Sequence, residues 1–67
     1  MMTFYRWLEP FINQRGPYNS AACYAHADFD FPQTSNITEL SDYITYLNTR
    51  DTVKDSLYSA LDAYQAA

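Results

Sequence analysis

Apolar residues recur at helical spacing along this chain, and this pattern constrains the fold more than any other feature. In the first segment they stand at i, i+3, i+4, i+7 and i+8, which places one apolar stripe along a helix. The members of this stripe are Phe4, Trp7, Leu8, Phe11 and Ile12. No segment shows the period-two alternation that marks a half-buried strand. The sequence therefore predicts an all-α protein.

The first helical segment has a start, an internal break and an end. Thr3 is expected to be its N-cap, because its hydroxyl can accept a hydrogen bond from an amide of the first turn. Pro10 lacks the backbone donor that a helix interior needs, so we expect a kink or a break there, with the apolar stripe still reaching the core beyond it. Gly16-Pro17 ends the segment.

The second segment, NSAACYAHADF, is short and rich in alanine. Alanine favours helix, and Asn19 or Ser20 is expected to provide the N-cap. Small side chains let neighbouring elements approach closely, so the segment is predicted to be a thin helix between thicker ones.

The last two segments carry equally regular apolar stripes. Asn36 followed by Glu39 predicts a capping box at the start of the third helix, and Thr52 followed by Asp55 predicts another at the start of the fourth. The stripes consist of Ile37, Leu40, Ile44 and Leu47, with Tyr43 beside them, and of Val53, Leu57, Leu61 and Tyr64.

The stretch DFDFPQTSN, residues 28–36, joins the second and third helices. Pro32 pushes Phe31 towards an extended conformation, so the second helix is expected to end at or before Phe31. Asn36 then begins the third helix. We expect Phe29 and Phe31 to fill the core at this corner.

The length of 67 residues allows one domain, predicted to span residues 1–67. A chain of this size buries only about 60% of its unfolded surface, so its stability margin is narrow. Cys23 is the single cysteine, which excludes a disulfide within the chain and indicates a reducing compartment. Aromatic rings that bury about 150–250 Å² each must supply much of the core. The sequence predicts a small four-helix bundle.

The charge and the hydropathy limit the classes of partner. The net charge of −4 disfavours sequence-independent phosphate binding, which needs a concentrated basic surface. No stretch approaches the ~20 apolar residues of a membrane span, and the start lacks the pattern of a secretory signal. We therefore expect a cytoplasmic protein that makes no membrane contact. The basic residues are scattered, and they are Arg6, Arg15, Arg50 and Lys54.

Only one cluster has the composition of a metal site or a catalytic site. His26, Asp28 and Asp30 could ligate zinc or manganese, but on a helix these positions diverge around the axis. Cys23 and His26 stand at i and i+3, yet a chain this small and acidic offers little for the pocket that a thiolate nucleophile needs. We expect a half-buried cysteine beside a surface histidine, no metal, no cofactor and no enzymatic activity.

Seven tyrosines cannot all be interior in so small a domain. Tyrosine is enriched at contact surfaces, so Tyr43, Tyr46 and Tyr58 form a candidate partner-binding patch on the last two helices. The alternative is that these rings lie flat on the bundle with their hydroxyls in water.

Two further hypotheses concern nucleic acids. Arg50 and Lys54, one helical turn apart, could bind a nucleic acid together with Arg6. In the other hypothesis, an acidic face mimics a nucleic-acid backbone and inhibits a basic protein, as small phage-encoded inhibitors do. That face would consist of Glu39, Asp42, Asp51, Asp55 and Asp62.

With these elements placed, the chain resembles the YozE family of small bacterial proteins, whose fold is similar to the sterile alpha motif (SAM) helical bundle. The resemblance runs from Thr3 to Tyr64. Its landmarks are Phe4-Tyr5 with Leu8, Phe31-Pro32 followed by Ser35, Leu40-Ser41, Tyr43-Ile44, and Ala60, Asp62 and Tyr64.

The chain departs from the family pattern in three respects. Leu57 and Leu61 stand where a phenylalanine and a tryptophan are expected. The aromatic residue that follows the corner in the family is either missing or replaced by Ile37, with a one-residue deletion, and basic residues are few. The resemblance implies an orthogonal SAM-like four-helix bundle in a bacterial or prophage setting. The similarity to sterile alpha motif domains also implies protein or nucleic-acid interaction, although fold does not fix function. We expect a protein-interaction module with an unknown protein partner, as a monomer or weak dimer.

Overall fold

The computed structural model describes residues 2–67, and within this range the chain forms four α-helices, one 3-10 turn and no strand. The prediction of an all-α bundle is confirmed. None of the helices described is long and apolar enough to cross a membrane. The elements are α1 (Phe4–Leu8), the 3-10 turn (Glu9–Asn13), α2 (Asn19–Ala27), α3 (Ile37–Thr45) and α4 (Asp51–Ala66).

Pro10 divides the first helical segment, as predicted. The amide of Arg6 donates to Thr3 Oγ1 at 3.2 Å, so Thr3 caps α1. The α-helix ends at Leu8, and the residues around Pro10 continue as a 3-10 turn, because proline cannot donate the hydrogen bond that a longer α-helix requires. Gly16 ends the segment with a φ of 148°, a conformation that a side chain would strain.

The alanines of α2 let three other elements pack closely around it. Ala21, Ala22 and Ala25 have no exposed surface. The helix contacts α1, the 3-10 turn and α4. The predicted thin central helix is confirmed.

The N-cap predicted for α2 is wrong. The N-cap position is Tyr18, whose side chain makes no capping hydrogen bond. The Asn19 amide group instead donates to the carbonyls of Phe11 and Ile12, at 2.9 and 3.0 Å. Asn19 therefore satisfies the last carbonyls of the preceding turn and does not cap its own helix.

A serine from α4 caps α2 across the bundle. The Ser56 hydroxyl accepts from the amide of Ala21 at 3.0 Å and donates to the carbonyl of Pro17 at 2.7 Å. One side chain, 35 residues away in sequence, thus satisfies a donor in the first turn of α2 and an acceptor just before it.

The corner between α2 and α3 is only half as predicted. Phe31 is buried, with 2% of its surface exposed, but Phe29 is fully exposed. The amide of Phe31 donates to the carbonyl of Asp28, and the amide of Asp30 donates to Asp28 Oδ1, so residues 28–31 form a tight turn. Phe29 lies at the tip of this turn, which directs its ring into solvent.

The two capping predictions for the later helices have different outcomes. Asn36 caps α3, since the amide of Glu39 donates to Asn36 Oδ1 at 3.0 Å. The second half of the predicted capping box is wrong, because the amide of Asn36 donates to Thr34 Oγ1 at 3.1 Å and not to the Glu39 side chain. The predicted cap at Thr52 is wrong, because the N-cap of α4 is Arg50 and its side chain makes no capping bond. Asp51 lies in the first turn, where the helix dipole stabilises a negative charge.

Two residues of the corner, Ser35 and Pro32, are half-buried.

The core is a cluster of rings and aliphatic side chains around Phe4, which has no exposed surface. Its ring lies 6.2 Å from those of Trp7 and Phe31 and 5.3 Å from that of Tyr64, centroid to centroid. These separations are typical of favourable ring pairs. The other buried members are Leu8, Ala21, Ala22, Ala25, Leu40, Ile44, Leu57, Ala60 and Leu61.

Replacing Ser56 by alanine tests the cap across the bundle. We expect Ser56→Ala to lower the free energy of unfolding by about 1–2 kcal/mol, because the amide of Ala21 then lacks its partner in a part-buried site. Urea unfolding followed by circular dichroism measures the loss. Ser59→Ala, an exposed serine of the same helix, is the matched control and should change stability by less than about 0.5 kcal/mol. Equal effects of the two substitutions would contradict the assignment.

Candidate partner-binding groove on the third helix

The third helix has one face that no other helix covers. Among the helices described, α3 packs only against α4. On its other side, α3 and the corner segment enclose a shallow groove of about 430 Å³. Seven residues line this α3 groove: Pro32, Glu39, Asp42, Tyr43, Tyr46, Leu47 and Asn48.

Tyr46 is the most exposed ring of the groove. It is the C-cap residue of α3, and its amide donates to the carbonyl of Asp42 at 3.2 Å, which fixes its backbone. Its surface is 85% exposed, whereas the neighbouring Leu47 is half-buried and packs against the core. The groove therefore has a firm floor and one prominent ring at its rim.

Tyr43 forms a wall of the groove and is held in place from behind. Its hydroxyl donates to Asp28 Oδ2 at 2.5 Å, and its ring meets that of Phe31 edge-on at 5.5 Å. Burial raises the pKa of Tyr43 well above the ordinary value of 10.0, and the hydrogen bond to Asp28 and its negative charge raise the pKa further. Tyr43 thus stays neutral and ties α3 to the corner.

Two exposed carboxylates give the groove its charge. Glu39 and Asp42 stand three residues apart on α3, a spacing that places them on the same face of the helix. No lysine, arginine or histidine lines the groove within the described part of the chain. The lining is therefore aromatic and apolar with a negative rim.

The structure divides the predicted tyrosine patch. Tyr43 and Tyr46 both line the groove, but Tyr58 does not. Tyr58 approaches from α4, is 37% exposed, and has its hydroxyl 2.7 Å from Thr45 Oγ1, the residue before Tyr46. Its ring therefore lies near the end of α3 but outside the α3 groove.

The basic residues named for nucleic-acid binding also lie outside the groove. The Lys54 ammonium donates to the carbonyl of Thr45 at 2.8 Å and so satisfies a carbonyl at the end of α3. Arg50 is exposed at the start of α4, and Arg6 is exposed on α1.

Sequence analysis named four of the seven lining residues but did not combine them into one site. It assigned Tyr43 and Tyr46 to the tyrosine patch, and Glu39 and Asp42 to the acidic face. It placed Pro32 only in the structural corner and Leu47 only in the core, and it did not name Asn48. The signal was present, because five lining residues stand at i, i+3, i+4, i+7 and i+8, the spacing of a second stripe on the helix. These are Glu39, Asp42, Tyr43, Tyr46 and Leu47. An apolar pattern alone hides such a mixed stripe.

The burial of His26 and Cys23 is the reverse of what we expected. The imidazole of His26 is mostly buried, with 17% of its side chain exposed, because Tyr5 stacks on it at 4.0 Å. Its Nδ1 donates to the carbonyl of Ala22 at 3.0 Å, and its Nε2 lies 3.9 Å from Glu9 Oε2. Cys23, in contrast, is exposed on the outer face of α2.

Two of the three candidate metal ligands have another role in the fold. Asp28 accepts hydrogen bonds from Tyr43 and from the amide of Asp30, and His26 is held against Tyr5. Among residues 2–67, no three histidine, cysteine, aspartate or glutamate side chains come together as a metal site would require.

The short helices around an aromatic core, with a corner between the middle pair, define a small helical bundle. The family model described as "YozE SAM-like fold" matches residues 3–66, nearly the whole chain, and the chain therefore belongs to the YozE SAM-like family. The predicted family is confirmed. Comparison with curated proteins and comparison with solved structures give no significant match.

The environment of Tyr43 predicts a loss of stability at alkaline pH. Its pKa is raised in the folded chain, so the unfolded chain releases the phenol proton first as the pH rises above about 10. The contribution of Tyr43 to the free energy of unfolding is fully present below that pH. It is lost as the pH rises further, at up to about 1.4 kcal/mol per pH unit. Urea unfolding at pH 7 and at several higher values should show a steeper decline for the native chain than for Tyr43→Phe. Parallel curves for the two chains would contradict the assigned environment.

Proposed function

We propose that the chain is a non-enzymatic protein-interaction module and that its contact surface is the α3 groove. The observation that carries the proposal is the position of Tyr46, an 85% exposed ring at the rim of a groove floored by Leu47 and walled by Tyr43. Covering such a ring contributes most to the free energy of binding, because a large apolar surface is then removed from water.

The composition of the groove supports this role. Tyrosine is over-represented in protein interfaces and among the residues that dominate binding energy. Tyr43 is already fixed by Asp28 and Phe31, so little side-chain freedom is lost when a partner packs against it. A pre-ordered wall and one prominent ring are the features expected of an interface anchor.

A second exposed ring lies in the corner segment, next to the aspartate that holds Tyr43. Phe29 is fully exposed at the tip of the corner turn. Its neighbour Asp28 accepts the hydrogen bond from the hydroxyl of Tyr43, so Phe29 is adjacent in sequence to a residue that orders the groove.

The structure gives two of the alternative functions, nucleic-acid binding and catalysis, less support. Lys54, one of three residues named for nucleic-acid binding, already has its ammonium on the carbonyl of Thr45. His26 and Asp28, named for catalysis or metal binding, are held by Tyr5 and Tyr43.

We also propose a cytoplasmic setting, which the single cysteine supports.

Capture experiments with two tyrosine variants test the proposal. The native chain, Tyr46→Ala and Tyr58→Ala are immobilised, exposed to a lysate of the organism that encodes the protein, and compared by quantitative mass spectrometry. We expect the native chain and Tyr58→Ala to retain the same proteins, and Tyr46→Ala to retain at least about tenfold less of them, as for a side chain worth more than 1.4 kcal/mol.

Tyr58→Ala is the matched control, because Tyr58 is an exposed tyrosine near the end of α3 that does not line the groove. Circular dichroism confirms that each variant is folded. Equal capture by all three folded chains would remove the groove from consideration. A loss confined to Tyr58→Ala would move the contact surface to α4.

A further inference from the structure

The charged residues that line the α3 groove are all negative. Glu39 and Asp42 supply two carboxylates at the groove itself. Asp28 lies directly behind Tyr43, and Asp30 is close enough for its charge to act on the same phenol. A ligand in the groove therefore meets a negative potential that its apolar walls would strengthen by excluding water.

The cations of the chain do not neutralise the groove. Lys54 reaches the end of α3, but its ammonium is directed to the carbonyl of Thr45 and does not line the groove. Glu39 and Asp42 take part in none of the ion pairs found among the described residues. These two carboxylates are thus available to a partner.

The aromatic and apolar lining suits the other part of a cationic side chain. Tyrosine rings attract guanidinium and ammonium groups over their faces, and Tyr46 offers such a face at the rim. The methylene stem of an arginine or lysine can pack along Leu47 and Pro32 while its charged end reaches the carboxylates. The volume of about 430 Å³ is sufficient for a few side chains.

On this basis, and resting on the proposed function, we infer that the α3 groove binds a basic segment of a partner protein. The segment presents an arginine or lysine to Glu39 and Asp42 and a large apolar side chain to Tyr46 and Leu47. Charge complementarity selects the basic residue, and the apolar floor selects its neighbour.

Selection from a random peptide library identifies the preferred chemistry without knowledge of the partner. Phage-displayed dodecapeptides are selected on the immobilised full chain, and binders that also bind Tyr46→Ala are discarded. We expect the surviving peptides to carry net positive charge, with an arginine or lysine within a few positions of a large apolar residue.

Titration of one surviving peptide then tests the two carboxylates. The double variant Glu39→Gln with Asp42→Asn should bind this peptide about three- to tenfold more weakly, the range for exposed charge pairs, and the native affinity should fall with added salt. The matched control, Asp55→Asn with Asp62→Asn, removes the same charge from exposed positions of α4 outside the groove and should bind like the native chain at moderate salt.

The remaining outcomes separate this inference from the proposed function. Peptides that depend on Tyr46 but are neutral or acidic would overturn the basic-segment inference and leave the groove as a protein-binding surface. Equal weakening by the two double variants would overturn it as well, since the effect would then be one of net charge alone. No peptide that distinguishes the native chain from Tyr46→Ala would overturn both.

Discussion

The rest of the bundle depends on the packing of the Phe4 ring against its neighbours. This ring comes from a helix of only five residues, too short to be stable alone, and it packs against Phe31 of the corner and Tyr64 of α4. The amide of Phe4 also donates to the carbonyl of Thr34, so backbone and side chain join α1 to the same corner. In a domain with so little interior, this one side chain links three parts of the chain that are far apart in sequence.

The candidate groove is a consequence of the same packing. Phe31 turns inward against Phe4, the tight turn before it leaves Phe29 in solvent, and Tyr43 closes over Phe31 with its hydroxyl on Asp28. These contacts hold α3 beside the corner and leave its outer face open. The surface that we propose for partner binding is therefore ordered by the core, and binding there would require little rearrangement of Tyr43.

The regular features of the fold could be predicted from the sequence, because they follow from local rules. The helical stripes, the break at Pro10 and the cap at Asn36 each depend on neighbouring residues. The failures have physical causes that local rules do not contain: Ser56 caps α2 from 35 residues away, and Tyr5 covers His26 from another helix. The acids and the tyrosines of the groove were assigned to two separate hypotheses, since the search for apolar stripes overlooks one that mixes acids with rings. Tyr43 and Tyr46 were found because the number of tyrosines required some of them to be exposed.

The stability of two phenylalanine variants tests the central role of Phe4 most directly. Urea unfolding of Phe4→Ala should show a free energy of unfolding lower by about 3–5 kcal/mol, or a chain that is already unfolded in water. Phe29→Ala removes the same side chain from a fully exposed position and should stay within about 0.5 kcal/mol of the native chain. A folded Phe4→Ala chain that is as stable as Phe29→Ala would contradict the account.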